Sequence, residues 1–174
     1  MPCGGASYVH VQGIDGPPRV HLDLAGDIDE DSARLEELGA TRVHRGEAWQ
    51  VMISPAGLPF CVCRESWPHE RPEAVVWPGG HRSGLVQLCV DVPGERYDDE
   101  LGFWRAATGW ADEPVRAPEF HRLVHRERSP LQLLVQRLGT DDGARRARAH
   151  LDLGTDDMAA EVFAAMTCRP RAQS

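Results

Sequence analysis

The chain is poorest in the features that would place it in a membrane, on an export route or on a nucleic acid. No apolar run approaches the ~18 residues needed to span a bilayer. No basic-then-apolar leader follows Met1, so a cytoplasmic protein is expected. Basic charge is short as well: 19 Lys and Arg face 27 Asp and Glu, for a net charge of −8 and a pI near 5.4. That balance excludes the basic face by which nucleic-acid binders are recognised. Arg145-Arg146-Ala147-Arg148 is the one basic cluster of note, and it falls between two strand patterns as a solvated connection. Five cysteines (Cys3, Cys61, Cys63, Cys89, Cys168) are an odd number without the spacing of a small secreted domain, so reduced thiols are expected. Neither a nucleophile elbow nor a phosphate-cradling glycine loop occurs.

What is present is an internal repeat. Arg19-Val20-His21-Leu22-Asp23-Leu24 returns as Arg148-Ala149-His150-Leu151-Asp152-Leu153, and Val11-Gln12 upstream of the first copy is echoed by Val135-Gln136. Each copy runs into an acidic stretch that opens a helix pattern. After His21 come more than forty patterned residues, but only 24 follow His150. The chain therefore reads as starting inside one domain and stopping inside the next.

The hydrophobic fraction of 41% is enough for a core in one domain or two small ones. Residues 7–13 read as a short strand and 19–25 as the next, with Leu22 and Leu24 on one face and His21 and Asp23 on the other. Asp27 caps a helix with Glu30 three positions on; Ile28, Leu35 and Leu38 share its buried stripe, and Gly39 stops it. Strands at about 41–45, 49–54 and 59–64 close this block. Residues 65–83, rich in Pro, Gly and His, read as a linker pinned by Trp67 and Trp77. The second block repeats the order: a strand at 85–92 with Gln87 and Asp91 on one face, a helix over about 96–108 ended by Gly109, then strands near Val115, at 119–126 and at 130–137. The second His-Leu-Asp-Leu strand and a helix over about 156–166 follow, with a frayed tail at 167–174.

Two successive strand–helix–strand–strand–strand blocks with these motifs resemble the vicinal oxygen chelate superfamily, which includes glyoxalase I, bleomycin-resistance proteins and extradiol dioxygenases. The likeness is sharpest to the bacterial glyoxalase-like domain group. It is carried by Arg19 to Leu24, Leu35-Glu36-Glu37-Leu38-Gly39-Ala40-Thr41, the run from Ser54 to Val62, the run from Phe103 to Trp110, and Val135-Gln136-Arg137-Leu138. The resemblance implies an α+β fold in which paired βαβββ modules form a curved mixed sheet, a cup, with helices on its outer face. It makes 7–64 a C-terminal-type half-domain, 65–83 the linker, and 84–166 an N-terminal-type half of a second domain plus its next strand and helix. The halves thus stand in reversed order. They could be remnants of a tandem protein, could pair within the chain as a permuted domain, or could be exchanged between two chains in a homodimer. Pairing within the chain is favoured, because an open half would leave a large apolar patch exposed.

Carried over by motif, the family's metal-ligand positions are His21, Cys61, Gln87 and Gln136, with His150 and Gln12 as repeat equivalents. Cys61 and Gln136 stand where the family uses Glu. Neutral amides are weak ligands for divalent ions, and no carboxylate remains as ligand or base. Cys61 and Cys63 read as small hydrophobes rather than a soft-metal pair. His121 and His125 fall on a strand, where four residues span ~13 Å, too far to share a ligand. Trp49, Trp104 and Trp110 are candidates to line a cavity, although Trp104 lies on its helix's core stripe.

The expected function is accordingly a glyoxalase-like protein that binds a small molecule through His21, Asp23, Gln87, Gln136 and His150, with no intact metal centre and no cofactor. A divalent metal is the less favoured alternative, serving a lyase or isomerase of the glyoxalase type. A drug-sequestering binding protein of the resistance kind is another, and assembly with a further copy another still.

Overall fold

The computed structural model describes residues 9, 12, 13, 15, 19–64, 73–125 and 131–167. The first module holds β1 (Leu22–Ala25), α1 (Ile28–Glu37), β2 (Thr41–Arg45), β3 (Trp49–Ile53) and β4 (Pro59–Cys63). Its four-stranded sheet has the order β1-β4-β3-β2, with β1 and β4 parallel and the other pairs antiparallel. A parallel β1–β4 pair needs a crossover, and α1 supplies it.

The α1 ends are set by sequence. Asp27 accepts hydrogen bonds from the backbone N–H of Asp29 (3.0 Å) and Glu30 (2.9 Å), and three acidic residues follow in the first turn. At the other end Gly39, at φ +104°, lets its N–H reach the Glu36 carbonyl while the Ala40 N–H reaches that of Leu35. This paired closure needs a left-handed residue after the helix, which glycine adopts without a Cβ clash.

The second module holds β5 (Val75–Val76), β6 (Arg82–Val92), a 3-10 turn at Gly94–Arg96, α2 (Tyr97–Thr108), β7 (Ala111–Glu113), β8 (Phe120–Val124) and β9 (Gln132–Arg137). β10 (Arg148–Thr155) and α3 (Met158–Thr167) come after it. The six-stranded sheet has the order β10-β6-β9-β8-β7, with β5 paired to the start of β6. β6 and β9 are parallel, whereas β10 lies antiparallel to β6 with a bulge between Asp152 and Leu153. The fold is thus mixed α+β, as the sequence implied.

Several details differ from the sequence expectation. The third-from-last strand of the second module is Ala111–Glu113, not the stretch around Val115, which leads toward a proline-containing turn. Part of the expected linker is regular: β5 folds back on β6, the Trp77 indole donates to Ser83 Oγ at 2.8 Å, and its ring stacks on His81. The strand expected at 7–13, Trp67 and the tail from 168 onward lie outside the described residues, although Thr167 still belongs to α3. Among the described residues no helix is long and apolar enough to cross a membrane.

The two sheets share one core. Alternation buries Met52, Phe60 and Val62 on one face of the first sheet and Leu88, Val90, Val92, Leu133 and Val135 on one face of the second, with α2 contributing Tyr97, Leu101, Phe103 and Trp104. Phe60 sits 5.7 Å from the Phe103 ring and 5.3 Å, edge-on, from Trp104. Burying such a ring contributes on the order of 2–3 kcal/mol. Polar contacts reinforce this joint. The buried Glu100 carboxylate accepts from Ser54 Oγ (2.6 Å), the Ala56 N–H (2.7 Å) and Trp104 Nε1 (2.8 Å). The expected solvated connection at 145–148 is exposed at its arginines but anchored at Ala147, which is buried and donates its N–H to the Ala56 carbonyl at 2.7 Å. The halves therefore meet within one chain. They do so through the helix-bearing faces, and it is β10, not β1, that takes the free edge of β6.

Candidate functional site on the polar faces of the two sheets

Because side chains alternate along a strand, packing one face on the core turns the other outward. On the first sheet that face carries His21, Asp23 and Cys61. On the second it carries Gln87, Cys89 and Asp91 from β6, Gln132 and Gln136 from β9, and His150 and Asp152 from β10.

The second face is a continuous polar string. Gln132 Nε2 donates to Gln87 Oε1 at 2.7 Å, and Gln87 Nε2 donates to Asp152 Oδ2 at 2.6 Å. Asp152 Oδ1 lies 3.3 Å from His150 Nε2, whose other ring nitrogen is 3.4 Å from Asp91 Oδ2. Arg148 Nε donates to that same Asp91 oxygen at 3.1 Å, and its Nη atoms hold Asp142 at 2.9 and 3.1 Å. Cys89 stands between, its sulfur 3.8 Å from Asp91 Oδ1 and 3.9 Å from Gln136 Oε1. Along this string three carboxylates stand against one guanidinium, which leaves it electronegative. The Arg148 contact holds Asp142 below the usual carboxylate range, and the guanidinium is held correspondingly higher.

On the first face His21 Nε2 lies 3.0 Å from Asp23 Oδ1, and this contact raises the imidazole above its ordinary 6.5. Burial, helped by Asp23, pushes the Cys61 thiol up to about 12. Burial, helped by Asp91 and Asp152, pushes Cys89 up to about 12 as well. Neither is a thiolate at neutral pH, so neither acts unaided as a nucleophile.

The structure brings together three of the residues singled out from the sequence, Gln87, Gln136 and His150, joined by Asp152 of the second repeat, and places His21, Asp23 and Cys61 together on the other sheet. The family-equivalent metal positions therefore divide two and two between sheets, and the pairs offer one imidazole, one thiol and two amides. That donor set does not fit the family's metal centre. Gln12 is exposed. The three candidate tryptophans differ in setting: Trp104 is buried in the core, Trp49 is 43% exposed and Trp110 packs edge-on against His125. His121, on β8 as expected, faces the helix side and contacts Tyr97 Oη at 3.0 Å. An open depression of about 380 Å³ beside β7 and β8, lined by Asp112, Val115, Pro118 and Phe120 among others, contains none of the expected site residues. Sequence reasoning missed Cys89, Asp91 and Gln132 as site members. Two-residue spacing from Gln87 marks the first two, while Gln132 is reached only through the β6–β9 register.

The comparisons with known proteins bear on the family and the fold. The glyoxalase-like domain family matches residues 3–63 and 87–170. Among solved structures, the chain is similar to the S221M V223F Y359A mutant of 4-hydroxymandelate synthase from Streptomyces coelicolor, at 15% identity and a TM-score of 0.50, over 82% of this chain and 50% of that one. It is also similar to the fosfomycin resistance protein FosX from Listeria monocytogenes, at 14% identity and a TM-score of 0.43, over 75% and 96% of the two chains. A third is a glyoxylase/bleomycin resistance protein/dioxygenase domain from Frankia sp. EAN1pec, at 20% identity and a TM-score of 0.40, over 79% and 98%. No curated protein matches the chain by sequence. With the family matched across most of its length, the chain belongs to the glyoxalase-like domain family of the vicinal oxygen chelate superfamily.

Proposed function

We propose that the chain is a small-molecule-binding protein whose ligand lies on the polar face of the second sheet, contacted by Gln87, Gln136, His150 and Asp152. The supporting observation is the string of hydrogen bonds and ion pairs from Gln132 through Asp152 and His150 to Asp142, which fixes Gln87 and Asp152 while leaving about half of the His150 side chain exposed. Prefixed polar groups bind without a further ordering cost. The excess of carboxylates suits a cationic ligand, the chemistry a drug-sequestering protein would use. His21 and Asp23 form a smaller polar patch on the first sheet. A metal-dependent lyase or isomerase would need a carboxylate at Cys61 or Gln136, and the chain has none there.

Thermal melts against small organic cations, run in the presence of a chelator, test this reading. A ligand at a hundred times its Kd adds about 2.7 kcal/mol of stability, which for this chain length moves the midpoint by roughly 5–10 °C. That rise should vanish in His150→Ala and Asp152→Asn. A rise that persists in both variants would place the ligand elsewhere and sink the reading.

A second reading concerns assembly. α3 exposes Met158 (68%), Phe163 (70%) and Met166 (82%), an apolar side that its counterpart α1 buries against three strands. A homodimer in which a second copy covers α3 and β10 would remove that exposure. Sedimentation equilibrium should give a dimer for the native chain and a monomer for Phe163→Asp. A native chain that stays monomeric at micromolar concentration contradicts it.

A further inference from the structure

We propose that Cys89, His150 and Asp152 form a binding site for a thiophilic divalent cation of the zinc or cobalt type. Their ligand atoms, one sulfur, one ring nitrogen and one carboxylate oxygen, all lie within 4.8 Å of one another. Donors bound to such an ion at about 2.0–2.3 Å stand no more than roughly 4.6 Å apart. Small side-chain rotations therefore close the trio on a cation and leave a fourth position for water or an anion.

The surroundings are those of a ligand shell. With His150 Nε2 facing Asp152, its Nδ1 is turned to Asp91, which is 6% exposed, at 3.4 Å. A metal-bound imidazole characteristically gives its other N–H to a carboxylate, which fixes the ring and raises its basicity. Asp152 presents one oxygen to the trio while Gln87 holds the other at 2.6 Å, so the ligating carboxylate is itself oriented. Mixed sulfur, imidazole and carboxylate donors select zinc-like ions over magnesium or calcium.

This site is not the family-equivalent set. It keeps only His150 from those positions, replaces Gln87 by the thiol two residues along β6, and lies within one sheet. The chain carries a related trio, His21, Asp23 and Cys61, built by a different pairing. There Asp23 faces Cys61 across parallel strands, whereas His150 faces Cys89 across antiparallel ones. The proposal shares His150 and Asp152 with the small-molecule reading, but its test needs no organic ligand, so the two can fail separately.

Titration of the reduced, metal-stripped chain with Co²⁺ tests it, because cobalt bound to a thiolate gives a sulfur-to-metal charge-transfer band in the near ultraviolet. The band should appear at one equivalent, bleach on addition of Zn²⁺, survive in Cys61→Ser and be lost in Cys89→Ser. His150→Ala and Asp152→Asn alter side chains about a third or more exposed and should fold; each should weaken cobalt binding at least about tenfold. No band in the native chain, or a band of full intensity in Cys89→Ser, overturns the proposal. So does unchanged affinity in both His150→Ala and Asp152→Asn.

Discussion

Ser54 Oγ donates a 2.6 Å hydrogen bond to Glu100, tying the end of β3 to the first turn of α2 across the joint between modules. The same carboxylate takes the Ala56 N–H and the Trp104 indole, so one buried acid serves three donors. Glu100→Ala would leave those donors unsatisfied at roughly 1–3 kcal/mol each. Urea denaturation should show a loss of at least about 3 kcal/mol, and a loss below about 1 kcal/mol would mean the joint is held without it.

Glu100 also makes stability depend on pH. Burial lifts its pKa above the ordinary 4.5, partly offset by the hydrogen bonds from Ser54, Ala56 and Trp104. The folded chain therefore keeps a proton that the unfolded chain releases. Stability is greatest below the ordinary value and falls as pH rises through the folded pKa, then levels off. In Glu100→Gln this fall should disappear from denaturation midpoints measured between the two values.

Phe60 is fully buried against Phe103 and Trp104. Phe60→Ala should cost about 3–5 kcal/mol by calorimetry or denaturant. Both sheets should lose stability together, which tryptophan fluorescence and amide exchange can check independently.

His21 owes its raised pKa first to Asp23. Asp23→Asn should bring the imidazole back toward 6.5, as followed by NMR titration of the ring protons. The linked stabilisation is present below 6.5 and fades as pH rises through the folded value. Because the His21 side chain is 42% exposed, solvent screening keeps this contribution small. A titration unchanged in Asp23→Asn would rule the contact out as the cause.

Phe163 is the opposite of Phe60, with 70% of its surface in solvent. At dilutions where the chain is monomeric, Phe163→Ser should change stability by no more than about 0.5 kcal/mol. At concentrations where a second copy covers α3, the loss should grow toward that of Phe60→Ala.

The elements themselves were legible where local chemistry is strong. Asp27, Gly39 and Gly109 mark helix ends because caps and left-handed stops depend on single residues, and each sits where the sequence placed it. Alternation likewise put Leu22 and His21 on opposite faces. What could not be read was partnership between strands: His-Leu-Asp-Leu occurs twice, yet one copy pairs parallel and the other antiparallel. Local sequence does not encode that choice; it follows from which edge is open. For the same reason the set His21, Cys61, Gln87 and Gln136, assembled by motif, is split by the fold, while Cys89 and Asp91 join His150 through register alone. β5 was hidden because two residues between proline-rich stretches carry no periodicity.

The Pro55-Ala56-Gly57 turn is gripped from several directions: Glu100 and Ala147 hold Ala56, Arg96 donates to the Pro55 carbonyl, and Arg146 closes on Gly57. Such a buckle couples the two sheets, although among the described residues no hydrogen-bonded strand pair joins them. Because it is fastened through the apolar side, the outward-facing histidines and carboxylates are mechanically idle. They can be exchanged for other chemistry with little disturbance to the clasp.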